Sequence, residues 1–142
     1  MKLKNFPFYK QPDTKDCGPS CLRIICKHYG KVVPLQYIRK LSETTREGSS
    51  LSGLSDAAES LGFNTLGMKI NFEVLKNDTP LPCIVHWKKV HYVVVYEINN
   101  KDNTVYVSDP AYGLISYSKE DFIKSWIGEE ANETTEEGII LA

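Results

Sequence analysis

The segment Gln11-Pro12-Asp13-Thr14-Lys15-Asp16-Cys17-Gly18-Pro19-Ser20-Cys21-Leu22 is where this chain's residue types could do chemistry. A polar loop delivers Cys17 to the start of an expected helix, where unpaired backbone N–H groups and the helix dipole favour negative charge. The thiolate is the reactive form of cysteine, and a helix start favours it. Position alone fits equally well a cysteine that packs beneath the helix. Cys21, Cys26 and Cys83 lie among apolar residues and read as packing groups. A nucleophilic sulfur needs a base, and the chain has three histidines. His91 opens the apolar run His91-Tyr92-Val93-Val94-Val95-Tyr96, where a strand mouth can project it into a cleft. His86, in Ile84-Val85-His86-Trp87, is either a core residue or a cleft wall. His28 falls near the exposed end of the first helix.

A base that cycles its proton needs a partner to hold the imidazole and stabilise its charge. Asp109 ends an expected strand and precedes Pro110. If that strand pairs with the one beginning at His91, Asp109 and His91 share one end of the hairpin. The competing reading is a plain Asp-Pro turn. Gln11, six residues before Cys17, can aim its amide N–H₂ at a developing oxyanion beside the backbone N–H of Cys17. Zinc binding by Cys17, Cys21, Cys26 and His28 is a further alternative. The paired Cys-x-x-Cys spacing of such sites is missing. With no secretion signal, free thiols are expected rather than disulfides.

The elements that must hold these groups follow from pattern. A helix is expected from Cys17 to Tyr29, with Leu22, Ile25 and Cys26 inward, Asp16 or Ser20 as its cap and Gly30 as its stop. Pro34 suits the first turn of a second helix through Leu41. Ser49 or Ser50 caps a third, with Leu51, Leu54, Ala57, Ala58 and Leu61 as its apolar stripe before Gly62. After Gly62 the texture becomes that of strands: Phe63 to Ile70, Cys83 to Trp87, His91 to Ile98, Thr104 to Ser108 and Leu114 to Tyr117. Asn99 to Asn103 form a hairpin loop. Lys119 to Ile127 reads as a short helix with Phe122, Ile123 and Trp126 inward. The segment Gly128 to Gly138 reads as a solvated, mobile tail, and the closing Gly138-Ile139-Ile140-Leu141 as an edge strand. Helices first and mostly antiparallel strands afterwards predict an α+β domain spanning 1–142.

With 142 residues, 42% of them hydrophobic, the chain can bury one core of its own. Seventeen basic residues against eighteen acidic ones leave a net charge of -1, which does not suggest a nucleic-acid binder. The apolar runs are far shorter than the roughly 20 residues needed to cross a bilayer. Met1-Lys2-Leu3-Lys4 leads into Asn5 and Pro7 rather than an apolar stretch, so a signal peptide is not expected, and a cytosolic setting is.

Taken together, Gln11 to Leu22, Leu81-Pro82-Cys83-Ile84-Val85-His86-Trp87, His91 to Val95 and Asp109-Pro110 resemble, in order and approximate spacing, the bacteriocin-processing peptidases that cut double-glycine leaders. These are papain-like cysteine proteases that usually form the N-terminal part of peptidase-containing ABC transporters. The resemblance implies Cys17 as nucleophile, His91 as general base, Asp109 as its orienting residue and Gln11 as oxyanion-hole donor. Ser20 departs from the alanine many members carry. The resemblance also implies a precursor peptide with a double-glycine leader as substrate, no cofactor for the peptidase, and the cytoplasmic side of the bacterial membrane as its place. ATP and Mg would serve a transporter's membrane and ATPase parts, for which this chain has no Gly-x-x-x-x-Gly-Lys-Ser/Thr loop. The alternatives are a docking module that holds cargo without cutting it, and another papain-like activity such as an amidase or transglutaminase.

Overall fold

The computed structural model describes residues 6–87, 91–127 and 138–141. A short 3₁₀ turn, Thr14–Asp16, leads into α1 (Cys17–His28), followed by α2 (Leu35–Ser42) and α3 (Leu51–Ser60). The second half holds β1 (Gly67–Ile70), α4 (Phe72–Asp78), β2 (Cys83–Trp87), β3 (His91–Ile98), β4 (Val105–Asp109), β5 (Gly113–Tyr117), α5 (Lys119–Trp126) and β6 (Gly138–Leu141). The strands form one sheet in the order β1-β6-β2-β3-β4-β5, antiparallel at every pairing. This is the expected α+β class.

Both faces of the central strands are covered, which explains why Tyr92 to Val95 read as an unbroken apolar run rather than an alternation. Val93 and Val95 of β3, with Cys83 and Val85 of β2, pack against Phe72 and Leu75 of α4 and Phe122, Ile123 and Trp126 of α5. Tyr92, Val94 and Ile84 face the other way, onto Cys17, Cys21, Ile24 and Ile25 of α1 and Leu54 of α3. Leu22, Ile38, Ala57 and Ala58 knit α1, α2 and α3 together. Burying such side chains contributes about 1.5–3 kcal/mol each, so the first turn of α1 is held against the sheet by most of this layer.

Several boundaries differ from expectation, each for a physical reason. Neither Asp16 nor Ser20 caps α1: the Asp16 side chain makes no cap bond, and Ser20 is buried within the helix. Ser50, not Ser49, caps α3, accepting from Gly53 N. The strand expected from Phe63 begins at Gly67, because Phe63 N closes α3 on the Ala58 carbonyl and its ring packs on the helical clusters. α4 has no counterpart among the expected elements. It is a short helix capped by the Asn71 side chain on Val74 N, with Phe72 and Leu75 wholly buried.

The closing Gly138–Leu141 segment is a strand but not an edge. β6 lies between β1 and β2 and pairs with both. Its consecutive apolar residues suit a strand bonded on both sides better than an edge, which proteins usually blunt with charge or proline. The expected mobile tail falls outside the described residues, apart from Gly138 at its end.

Candidate active site

The site lies where the start of α1 meets one end of the β3–β4 pair. Val94 pairs with Ser108, so Asp109 and the opening residue of β3, His91, come to the same end. His91 Nε2 meets Asp109 Oδ1 at 2.8 Å, with the His91 side chain 20% exposed and Asp109 2%. The same Asp109 oxygen accepts from Ala111 N at 2.9 Å, so the carboxylate is held from two directions. Cys17 lies beside the same imidazole, near enough that its charge is among the causes that raise His91. With Nε2 engaged by Asp109, Nδ1 is the ring nitrogen left for the sulfur. The fold therefore brings together Cys17, His91 and Asp109, from positions 17, 91 and 109.

Cys17 is the first residue of α1 and 6% exposed. Its neighbour Gly18 leaves room for close packing: a Cβ there would stand 3.0 Å from the Leu54 side chain and 3.3 Å from the Tyr92 ring. Tyr92 in turn donates its hydroxyl to the Ser49 carbonyl at 3.1 Å, tying the loop before α3 to β3. The loop that carries Gln11 is stitched to the far side of the site. Gln11 N donates to the Pro110 carbonyl at 2.9 Å, and Ser108 Oγ donates to the Pro7 carbonyl at 3.0 Å. Gln11 Nε2 donates to the Asp13 carbonyl at 3.0 Å, which uses one N–H of the amide, and its Oε1 is buried without a partner among the described residues.

Burial holds Cys21, Cys26 and Cys83 in the neutral thiol form. Burial pushes Cys83 up to about 12, and it raises Cys26. Burial also raises Cys21 well above its ordinary value, with the charges of Cys17 and Asp109 adding to it. Tyr92 is pushed up to about 12, first by burial and then by Cys17 and Cys21, so it stays a neutral donor. For His91 burial pulls downward, but the hydrogen bond to Asp109, and the charges of Asp109 and Cys17, outweigh it and lift the imidazole to about 9.

That shift has a consequence for stability. A histidine raised from 6.5 to about 9 contributes stability that is full below pH 6.5 and is lost as pH rises through 9. The expected loss between pH 6 and pH 10 is on the order of 1–3 kcal/mol. Urea unfolding across that range is expected to show it, and Asp109→Asn is expected to flatten the dependence by removing the main partner. An identical slope in the two proteins would contradict the assignment.

Sequence reasoning placed Cys17, His91, Asp109 and Gln11 in one neighbourhood but passed over Arg39 and Tyr92. Tyr92 was visible only as part of an apolar strand. Arg39 carries no local signal, since its partner lies 23 residues earlier. His86 is half-buried and stacks on Tyr92 at 4.3 Å, and His28 is exposed at the end of α1. Among the described residues no group of three or more His, Cys, Asp or Glu is placed to hold a metal ion, and no helix is long and apolar enough to cross a membrane.

A thiol at a helix start beside a carboxylate-bound imidazole belongs to the chemistry of cysteine peptidases. Residues 5–131 match the Peptidase C39 family, and this chain is a cysteine peptidase of that family. It is 40% identical over 123 residues to the lactococcin-G-processing and transport ATP-binding protein LagD of Lactococcus lactis, covering 83% of this chain and 17% of that protein. It is 33% identical over 125 residues to the colicin V secretion/processing ATP-binding protein CvaB of Escherichia coli, covering 88% of this chain and 18% of that one. The chain thus spans less than a fifth of the length of either. Among solved structures, the peptidase domain of Streptococcus ComA, a bi-functional ABC transporter involved in a quorum-sensing pathway, matches with a TM-score of 0.80 at 34% identity, over 96% of each chain. A double-glycine-motif protease from an AMS/PCAT transporter, solved with its leader peptide, matches with 0.82 at 31% identity, over 95% of this chain and 88% of that one.

Proposed function

We propose that residues 1–142 form the peptidase part of an ABC exporter, lying on the cytoplasmic side of a bacterial membrane, and that it cuts the leader of a secreted, bacteriocin-like peptide after a Gly-Gly pair. The observation that supports this most is the 2.8 Å His91–Asp109 contact beside the Cys17 sulfur, in a chain of the C39 family. The solved relative that holds a leader peptide supports the substrate class.

In this reading Cys17 is the nucleophile, His91 the general base and acid, and Asp109 the residue that orients His91. The thiolate attacks the carbonyl carbon of the second glycine. The oxyanion that forms is met by the backbone N–H of Cys17 and by the N–H of Gln11 that the Asp13 carbonyl leaves free; each such donor is worth about 10²–10³ in turnover. The intermediate collapses as the imidazolium gives its proton to the leaving amine, which departs as the N-terminus of the mature peptide. The leader remains as a thioester on Cys17. His91 then takes a proton from water, the hydroxide attacks the thioester carbonyl, and the sulfur leaves as thiolate with the leader's new carboxylate released. The peptidase step uses no cofactor. ATP and Mg act in the exporter's other parts, and nucleic acid is no partner.

Mass analysis of a synthetic double-glycine leader peptide incubated with the chain tests the substrate. The expected result is two products that part after the second glycine, and loss of cleavage when the glycine pair is replaced by leucines. Binding of the leader with no products would favour a docking module. Acyl transfer to an added amine in place of hydrolysis would favour a transferase.

A further inference from the structure

The carboxylate of Asp16 stands one residue before Cys17 and is wholly buried. A carboxylate taken out of water needs a partner of opposite charge or a set of donors. Helix capping does not supply one here, because the Asp16 side chain makes no bond to the first turn of α1. Its partner comes from another helix. Arg39, near the end of α2, donates through Nε to Oδ1 at 2.7 Å and through Nη2 to Oδ2 at 2.6 Å, a two-pronged contact at short distance. The Arg39 side chain is 29% exposed, so it brings charge to the buried carboxylate from the solvent side.

This pair touches the site in two physical ways. A bare carboxylate next to the sulfur would oppose the thiolate by like-charge repulsion, and the guanidinium cancels that charge where it sits. The Asp16–Cys17 peptide also carries the backbone N–H that the proposed reaction aims at the oxyanion. Asp16 is held at its amide by the Asp13 carbonyl at 3.0 Å and at its carboxylate by Arg39, so the residue that begins that peptide is fixed at two points. Aim matters here, since a donor misplaced by about 1 Å can cost 10²-fold.

We propose that Arg39 is a positioning residue for leader cleavage, acting through Asp16 on the charge and the backbone N–H of Cys17. This rests on the reading of Cys17 as nucleophile. The other titratable groups that act on the sulfur or the clamp are His91 and Tyr92 of β3, Asp109 at the end of β4, Cys21 on α1 and Asp13 of the preceding loop. None of these makes the two-pronged contact with Asp16.

The test combines iodoacetamide labelling of Cys17 as a function of pH with kcat and KM on a synthetic double-glycine leader peptide. In Arg39→Met the labelling midpoint is expected to rise by about one pH unit, which makes labelling about tenfold slower below the midpoint. Its kcat is expected to fall tenfold or more with KM little changed. Adding Asp16→Asn to Arg39→Met removes both charges and is expected to return the midpoint toward that of the unaltered chain while kcat stays low. Arg39→Lys keeps the charge without the fork, so its midpoint is expected to hold and its kcat to fall severalfold. An unmoved midpoint and full kcat in folded Arg39→Met would overturn the proposal. Should that variant not fold, full kcat in Arg39→Lys would do the same. Cleavage that survives Cys17→Ala sinks the nucleophile itself, whereas normal behaviour of the Arg39 variants sinks only the positioning role.

Discussion

Cys17→Ala is expected to give a folded chain with no measurable cleavage of a double-glycine leader peptide, a loss on the order of 10⁶-fold in turnover. The fold should survive because the change removes one sulfur atom from a site of 6% exposure and places alanine, a strong helix former, in the first turn of α1. A small cavity costs about 1 kcal/mol. No other thiol can take over. Cys21 is one helical turn on and wholly buried, with burial raising its thiol well above the ordinary range, and Cys83 is pushed up to about 12 on the far side of the sheet. Chromatography of the products beside a melting curve of the variant separates lost chemistry from lost structure.

His91→Ala is expected to lower turnover by about 10⁴-fold or more, since it removes both the base for the sulfur and the acid for the leaving amine. This variant also leaves the Asp109 carboxylate, 2% exposed, with the Ala111 amide as its one hydrogen-bond partner among the described residues. A stability loss of about 1–3 kcal/mol is therefore expected alongside the kinetic one. His91→Gln distinguishes the two effects: its amide can still donate to Asp109, so stability should recover while turnover stays low. Added imidazole is expected to restore part of the activity of His91→Ala and none of that of Cys17→Ala. Turnover near that of the unaltered chain in His91→Gln would remove His91 from the reaction.

The parts of this fold that were legible beforehand are those in which one strong local signal acts. β2 and β3 run over the residues expected, because strands buried on both faces stand out as apolar runs. α5 was readable from Phe122, Ile123 and Trp126, all of which are buried, and the β3–β4 hairpin from the polar Asn99 to Asn103 loop. What stayed hidden depends on distant partners. Asp16 looked like a helix cap because capping is the local use of an aspartate before a helix, yet the buried carboxylate is claimed by Arg39 on another helix. β6 looked like an edge strand because nothing in Gly138 to Leu141 says that β1 and β2 will leave a gap between them. α4 is short, and two apolar residues three apart make a weak period. The Asp109-Pro110 step was ambiguous alone; its meaning came from the register that sets Ser108 opposite Val94 and so Asp109 beside His91.

In the proposed reaction the imidazole of His91 serves the sulfur of Cys17 and none of the other three thiols. Alkylation by substoichiometric iodoacetamide at pH 7, read by peptide mass mapping, tests it most directly. Modification of Cys17 is expected well ahead of Cys21, Cys26 and Cys83, with the preference strongly reduced in His91→Ala. Equal labelling of the four thiols, or a preference for Cys17 that His91→Ala leaves intact, would contradict it.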